Sequence, residues 1–221
     1  MTKADMNRKK LQELDDWDAF LLKESGLPGP RGNLELAQVV ADLGNQEIFE
    51  RYLSYDADQA STNSPYEFLA FCGVVGLGRL LAEGQSDLLG PLRLYASDRR
   101  WRMREGVAMA LQRLGDQDMD ALIQAMRVWS TGVPLEQRAA AAAVCEPRLL
   151  GQAKHARAAL RILDKITASL RKVENRKSKD FLTLRQGLGY CWSVAVAALP
   201  DEGKTILEKW LADSCRFYGH L

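Results

Sequence analysis

The chain is poor in the residues that build most active sites. It has two histidines, His155 and His220, and neither has a metal-ligand partner three or four residues on. A zinc site needs several converging N, S or O ligands, so no metal site is expected. The four cysteines, Cys72, Cys145, Cys191 and Cys215, are far apart and form no C-x-x-C pair. The first three lie in apolar helical text, which predicts buried free thiols rather than disulfides, and hence a reducing cytoplasm. No serine sits in a nucleophile elbow and no cysteine has a plausible histidine context. No apolar run approaches the roughly 18–20 residues of a membrane span. The opening MTKADMNRKKLQELDDWDAF is charged and lacks the apolar region of a signal peptide. The expectation is a cytoplasmic protein with no membrane association, no cofactor and no assignable catalytic residue.

Two stretches imitate motifs without satisfying them. Gly26 to Gly32 is rich in glycine and proline, but no strand precedes it and no Lys-Ser/Thr follows, so it reads as a loop rather than a phosphate cradle. Asp116, Asp118 and Asp120 alternate as in a calcium loop, yet the glycine and terminal glutamate are missing. Acidic residues at a helix start favour the positive end of the helix dipole, which is the simpler account.

What is present is helical periodicity, centred on Ser97 to Leu150. Ser97 and Asp98 are suited to cap a helix that carries Trp101, Val107, Ala108, Leu111 and Leu114. Gly115 and Asp116 interrupt that pattern. Met119, Leu122, Ile123, Met126 and Trp129 form the stripe of a second helix. Pro134 suits the first position of a third, which contains the alanine run 139–143 and stops at Pro147. Residues 73–80 align with residues 107–114 at an offset of 34, and Arg104 and Arg138 are separated by the same 34. A period of that size means a helical array, in which one helix pair buries its apolar face on the next.

Asp98, Trp101, Arg104, the small residues that follow and Leu111 resemble the inner helix of a HEAT-like repeat. Gly26 to Pro30 and Pro65 to Arg79 extend the similarity to a bacterial HEAT-repeat family, over about two thirds of the chain. The Trp-Leu-Gly-Tyr signature of the tetratricopeptide repeat, which shares the period, is absent. The resemblance implies an all-α, right-handed α-α superhelix. We expect roughly ten helices in one domain, residues 1–221. Residues 1–25 would be a capping helix, 33–150 the helix-pair repeats, and 151–221 a long basic helix with C-terminal helices.

Around that frame the chain reads as follows. Residues 4–24 form a polar amphipathic cap. Asn33 caps a helix through Leu43, and a second follows Gly44-Asn45. Pro65 opens a helix through Glu83 whose Gly73, Gly76 and Gly78 predict close approach by another helix. Leu88 to Tyr95 is an outer helix. Residues 150–173 form one long helix, 179–199 an apolar one with close packing at Gly187-Leu188-Gly189, and 201–212 a short one. Trp210 to Asp213 leads into one more inner helix, and the tail from Ser214 departs from the family pattern.

The net charge of +1 conceals an uneven distribution. Residues 154–185 carry ten Lys and Arg against three Asp and Glu, a net +7, and residues 1–70 carry seven against thirteen, a net −6. Two candidate surfaces follow. One is the concave face of the repeats, with Arg100, Trp101, Arg102, Arg104, Trp129, Arg138 and Arg148. The other is a basic stripe of Arg157, Arg161, Lys165, Lys172, Arg176, Lys177 and Lys179. A non-enzymatic scaffold that binds a protein partner would use either. The alternative is a nucleic-acid-binding or DNA-alkylation-repair-like protein. The bacterial alkylpurine DNA glycosylases are also built of HEAT-like helices, and arginines grip phosphates while aromatics pack on bases. No catalytic Trp–Asp–Arg set matches residue by residue, so glycosylase activity is not carried over. Buried tryptophans and arginines committed to ion pairs would favour the scaffold.

Overall fold

The computed structural model describes residues 2–218, with side chains through residue 212. Among the described residues the fold is all-helical, with twelve α-helices and no strand. The chain divides between Gln117 and Asp118 into two compact units.

The first unit holds α1 (Lys3–Gln12), α2 (Asp18–Glu24), α3 (Leu34–Leu43), α4 (Gln46–Leu53), α5 (Pro65–Ala82), α6 (Leu89–Tyr95) and α7 (Trp101–Gln117). The starts follow local chemistry. Side chains of Thr2, Asn33, Asn45 and Ser64 each accept a hydrogen bond from an amide in the first turn of the helix that follows, satisfying a donor with no intrahelical partner. The expected 4–24 helix is instead two. Asp16 accepts from the Asp18 amide, and the Trp17 indole N–H reaches back to the Leu11 carbonyl at 2.9 Å. This turn-forming chemistry breaks the helix at residues 13–17. Gly115 and Asp116 do not interrupt α7, which runs on to Gln117. Burial of Leu111, Leu114 and Gly115 outweighs the roughly 1 kcal/mol propensity cost of one glycine.

α5 is the axis of this unit. It packs on α3, α4 and α7, and fourteen of its eighteen residues are buried. The glycines allow that closeness. A Cβ at Gly73 would lie 2.8 Å from Leu53 Cγ, one at Gly76 would enter the Phe49 ring, and one at Gly78 would strike the Ala110 backbone. By length and composition α5 could cross a membrane, with a mean hydropathy of 1.3 over 18 residues, contrary to the expectation that no apolar run reaches that length. Of that window 78% is buried inside the protein.

The second unit holds α8 (Met119–Trp129), α9 (Pro134–Val144), α10 (Ala153–Ser169), α11 (Lys179–Ala198) and α12 (Pro200–Tyr218). Asp118 caps α8 by accepting from the Ala121 amide at 2.9 Å and Asp120 stands in its first turn, whereas Asp116 lies in the last turn of α7 and not at a helix start. The expected helix 150–173 is shorter. α10 ends at Ser169 and tightens into a 3₁₀ turn at Leu170–Lys172. α12 is one continuous helix where a short helix and a further start were expected. His220 lies outside the described residues. α9, α10 and α11 pack around Ala140, Leu160, Leu163 and Leu184, all fully buried. Cys72, Cys145 and Cys191 are buried free thiols.

Candidate functional site

Arg100, Arg102 and Arg104 of the first unit point inward. Arg100 is 3% exposed. Its guanidinium donates to both Asp98 carboxylate oxygens, at 3.1 and 2.8 Å, and to the carbonyls of Tyr55, Asp56 and Ala60. It ties the start of α7 to the connector before α5. Arg102, also buried, donates to Glu67 at 3.0 Å, to the Gly29 carbonyl at 2.7 Å and to Asn63 at 3.2 Å. Glu67 is fully buried on α5, so this ion pair binds α5, α7 and the glycine–proline loop in one knot. Arg104 is buried and donates to the Asp98 carbonyl. An arginine fork satisfied on several sides in this way has few donors left for a phosphate.

The other concave-face candidates are dispersed. Trp101 is 44% exposed, with the Arg102 guanidinium 4.4 Å from its ring centroid. Trp129 is buried in the second unit. Arg138 is half-buried there, its Cγ close to Gly187. Arg148 pairs with Glu146 at 3.0 Å.

The basic stripe has a different character. Arg157 is committed to Glu202, Nε to Oε2 at 2.8 Å, and this hydrogen bond holds the Glu202 carboxyl below its ordinary range. Arg161 is exposed and near the same carboxylate. Arg171 lies 4.7 Å from the Trp210 ring, whose indole N–H donates to Asp164 at 2.8 Å. These contacts fasten α12 to α10. Lys165, Lys172, Arg176, Lys177 and Lys179 are all exposed. Of these, Lys165, Lys172, Lys177 and Lys179 make no ion pair among the described residues. The segment from the end of α10 through the turn into α11 is therefore a solvated cationic surface. The turn is set by Asn175, which accepts from the Lys177 amide, and by Ser178, which caps α11.

No family model, curated protein or solved structure gives a significant match to this chain.

Among the described residues no three His, Cys, Asp or Glu side chains converge to hold a metal. Burial pushes the Cys72 thiol well up, and a hydrogen bond to Cys191 together with burial does the same for Cys145. Both are held as thiols, the poorly nucleophilic form. A cavity of about 290 Å³ is lined by Asp15, Asp16, Trp17, Glu47 and Arg51. Its one cation, Arg51, is already answered by Asp18 at 2.7 Å. Sequence reasoning overlooked the exposed face of α11, where Leu182 and Tyr190 stand 43% and 65% exposed. Their spacing of eight residues was the available signal.

Proposed function

We propose that this protein is a non-enzymatic interaction scaffold, a right-handed superhelix of HEAT-like helix pairs, that docks a protein partner through the cationic segment of its second unit. The 34-residue period and the tight α5–α7 packing support the repeat architecture. The observation that carries the function is a contrast. Arg100, Arg102 and Arg104 are spent inside the fold, whereas Lys165, Lys172, Lys177 and Lys179 stand in solvent without ion-pair partners among the described residues. Unpaired surface charge of one sign steers and orients a complementary partner.

Nucleic acid is the second reading, favoured by the same single-signed run, which could neutralise several phosphates. An anisotropy titration separates the two. Polyglutamate and a short DNA duplex are each titrated at about 50 and about 200 mM salt. The scaffold reading expects polyglutamate to bind and Lys172→Glu/Lys177→Glu/Lys179→Glu to abolish binding. A duplex that outcompetes polyglutamate, with affinity falling steeply with salt, would move the assignment to nucleic acid. Failure of both ligands at low salt would overturn both readings.

A further inference from the structure

α11 has one face that none of the described residues of its unit covers. Lys179, Leu182, Gln186, Gly189, Tyr190, Ser193 and Ala197 are all exposed, and helical spacing puts them within one arc of roughly 100°. The face runs about 27 Å at 1.5 Å per residue. It is smooth and nearly uncharged along most of its length, with Leu182 and Tyr190 as its apolar contacts. Its beginning is cationic. Lys177 and Lys179 precede it and Arg185 flanks it, all exposed.

Gly189 is the telling position. A mid-helix glycine costs up to about 1 kcal/mol relative to alanine. At Gly73, Gly106, Gly187 and Gly203 close contact explains such glycines, whereas Gly90, in the first turn of α6, is as open as Gly189. A Cβ would meet a neighbour at 2.8 Å at Gly73, 3.1 Å at Gly106, 3.2 Å at Gly187 and 2.8 Å at Gly203. At Gly189 a Cβ would meet nothing within 4 Å. The pattern Gly187-Leu188-Gly189 is thus half used inside the fold: Gly187 lets Arg138 approach, and Gly189 opens onto solvent.

We infer that this face of α11 docks an acidic amphipathic helix from a protein partner. The partner's apolar stripe lies over Leu182, Gly189 and Tyr190, with Gly189 allowing the two backbones to approach. Its carboxylates meet Lys177, Lys179 and Arg185. A helix is the occupant that matches a straight face of this length, and helix-on-helix docking is read through i, i+4 and i+7 anchors. The charge of the docking end fixes the sign of the partner. The inference rests on the scaffold reading and names its partner's shape.

The test uses the whole chain and two labelled peptides of roughly 18 residues. One places leucines at i, i+4, i+7 and i+11 with glutamate and alanine elsewhere, and the other is its scramble. The amphipathic peptide should bind at least ~10-fold more tightly than the scramble. Gly189→Leu, whose Cβ opens onto free space, and Tyr190→Ala should each weaken it by about 10-fold or more with no fall in melting temperature, and Gly189→Leu with a small rise. Equal binding of the two peptides, or no binding by either, overturns the inference. So does a folded Gly189→Leu protein that binds as wild type. If both peptides bind alike, ignore Gly189→Leu and are lost on Lys177→Glu/Lys179→Glu, the electrostatic scaffold reading stands and the helix-docking face falls.

Discussion

Glu67 and Arg102 show how much one buried residue pair can hold. Each charge is out of water, and among the described residues Arg102 pairs with the Glu67 carboxylate alone, at 3.0 Å. Removing one partner strands the other, at a cost of about 3–5 kcal/mol. Arg102→Met should therefore lower the urea midpoint sharply, and Arg102→Met/Glu67→Leu should recover most of the loss. A single-variant loss under about 1 kcal/mol would show that water already reaches the pair. Glycines give a paired prediction of opposite sign. Gly76→Ala drives a methyl into the Phe49 ring and should destabilise by about 1–3 kcal/mol. Gly189→Ala fills open space in a helix interior and should stabilise by about 0.5–1 kcal/mol. Thermal melts of the two variants decide both signs. The residue identities were readable in advance, and the three glycines of α5 were correctly placed as packing positions. The direction in which Arg100 and Arg102 point was not. An arginine at a helix start serves a surface or a knot equally well, and only the carbonyls of Tyr55, Asp56 and Ala60 decide it.

Helix ends and helix docking belong to the next scale. Asp118 is the one side chain capping α8, so Asp118→Ala should cost about 1 kcal/mol, read from denaturant unfolding. α12 is fastened to α10 by Arg157–Glu202 and by Trp210 on Asp164. The hydrogen bond from Arg157 lowers the Glu202 carboxyl, so the folded state binds that proton less readily than the unfolded state. Its stabilisation is present above the ordinary glutamate range and is lost as pH falls through the lowered folded value. Asp120, lowered by Lys154, acts in the same direction within the second unit. Amide exchange in α12 should accelerate as pH is brought below 4, after correction for the intrinsic rate, to a greater degree than in Glu202→Gln. An identical profile in the variant would remove the ion pair from the account. Boundaries such as Lys3–Gln12, Asp18–Glu24 and Ala153–Ser169 were misjudged for one reason. Apolar spacing continues across short turns, and whether a backbone bends there depends on bonds such as Trp17 to Leu11.

Across the molecule, charge is segregated. Residues 1–117 carry fourteen Lys and Arg against eighteen Asp and Glu, a net −4, and residues 118–221 carry sixteen against eleven, a net +5. The cations of the second unit concentrate where its backbone leaves α10 and enters α11. The triple variant Lys172→Glu/Lys177→Glu/Lys179→Glu moves the chain from +1 to −5, and binding to an acidic ligand should lose most of its salt dependence with it. A salt slope that survives the triple variant would place the interaction elsewhere.

Composition and the 3.6-residue period sufficed for helices, their approximate order and the uneven charge, because each depends on residues near one another in the chain. The interior fate of Arg100, Arg102, Arg104 and Trp129, and the open face at Gly189 and Tyr190, depended on which helices pack against which. Burial is a property of neighbours distant in sequence, and the same arginine or glycine is structural or available according to what folds against it.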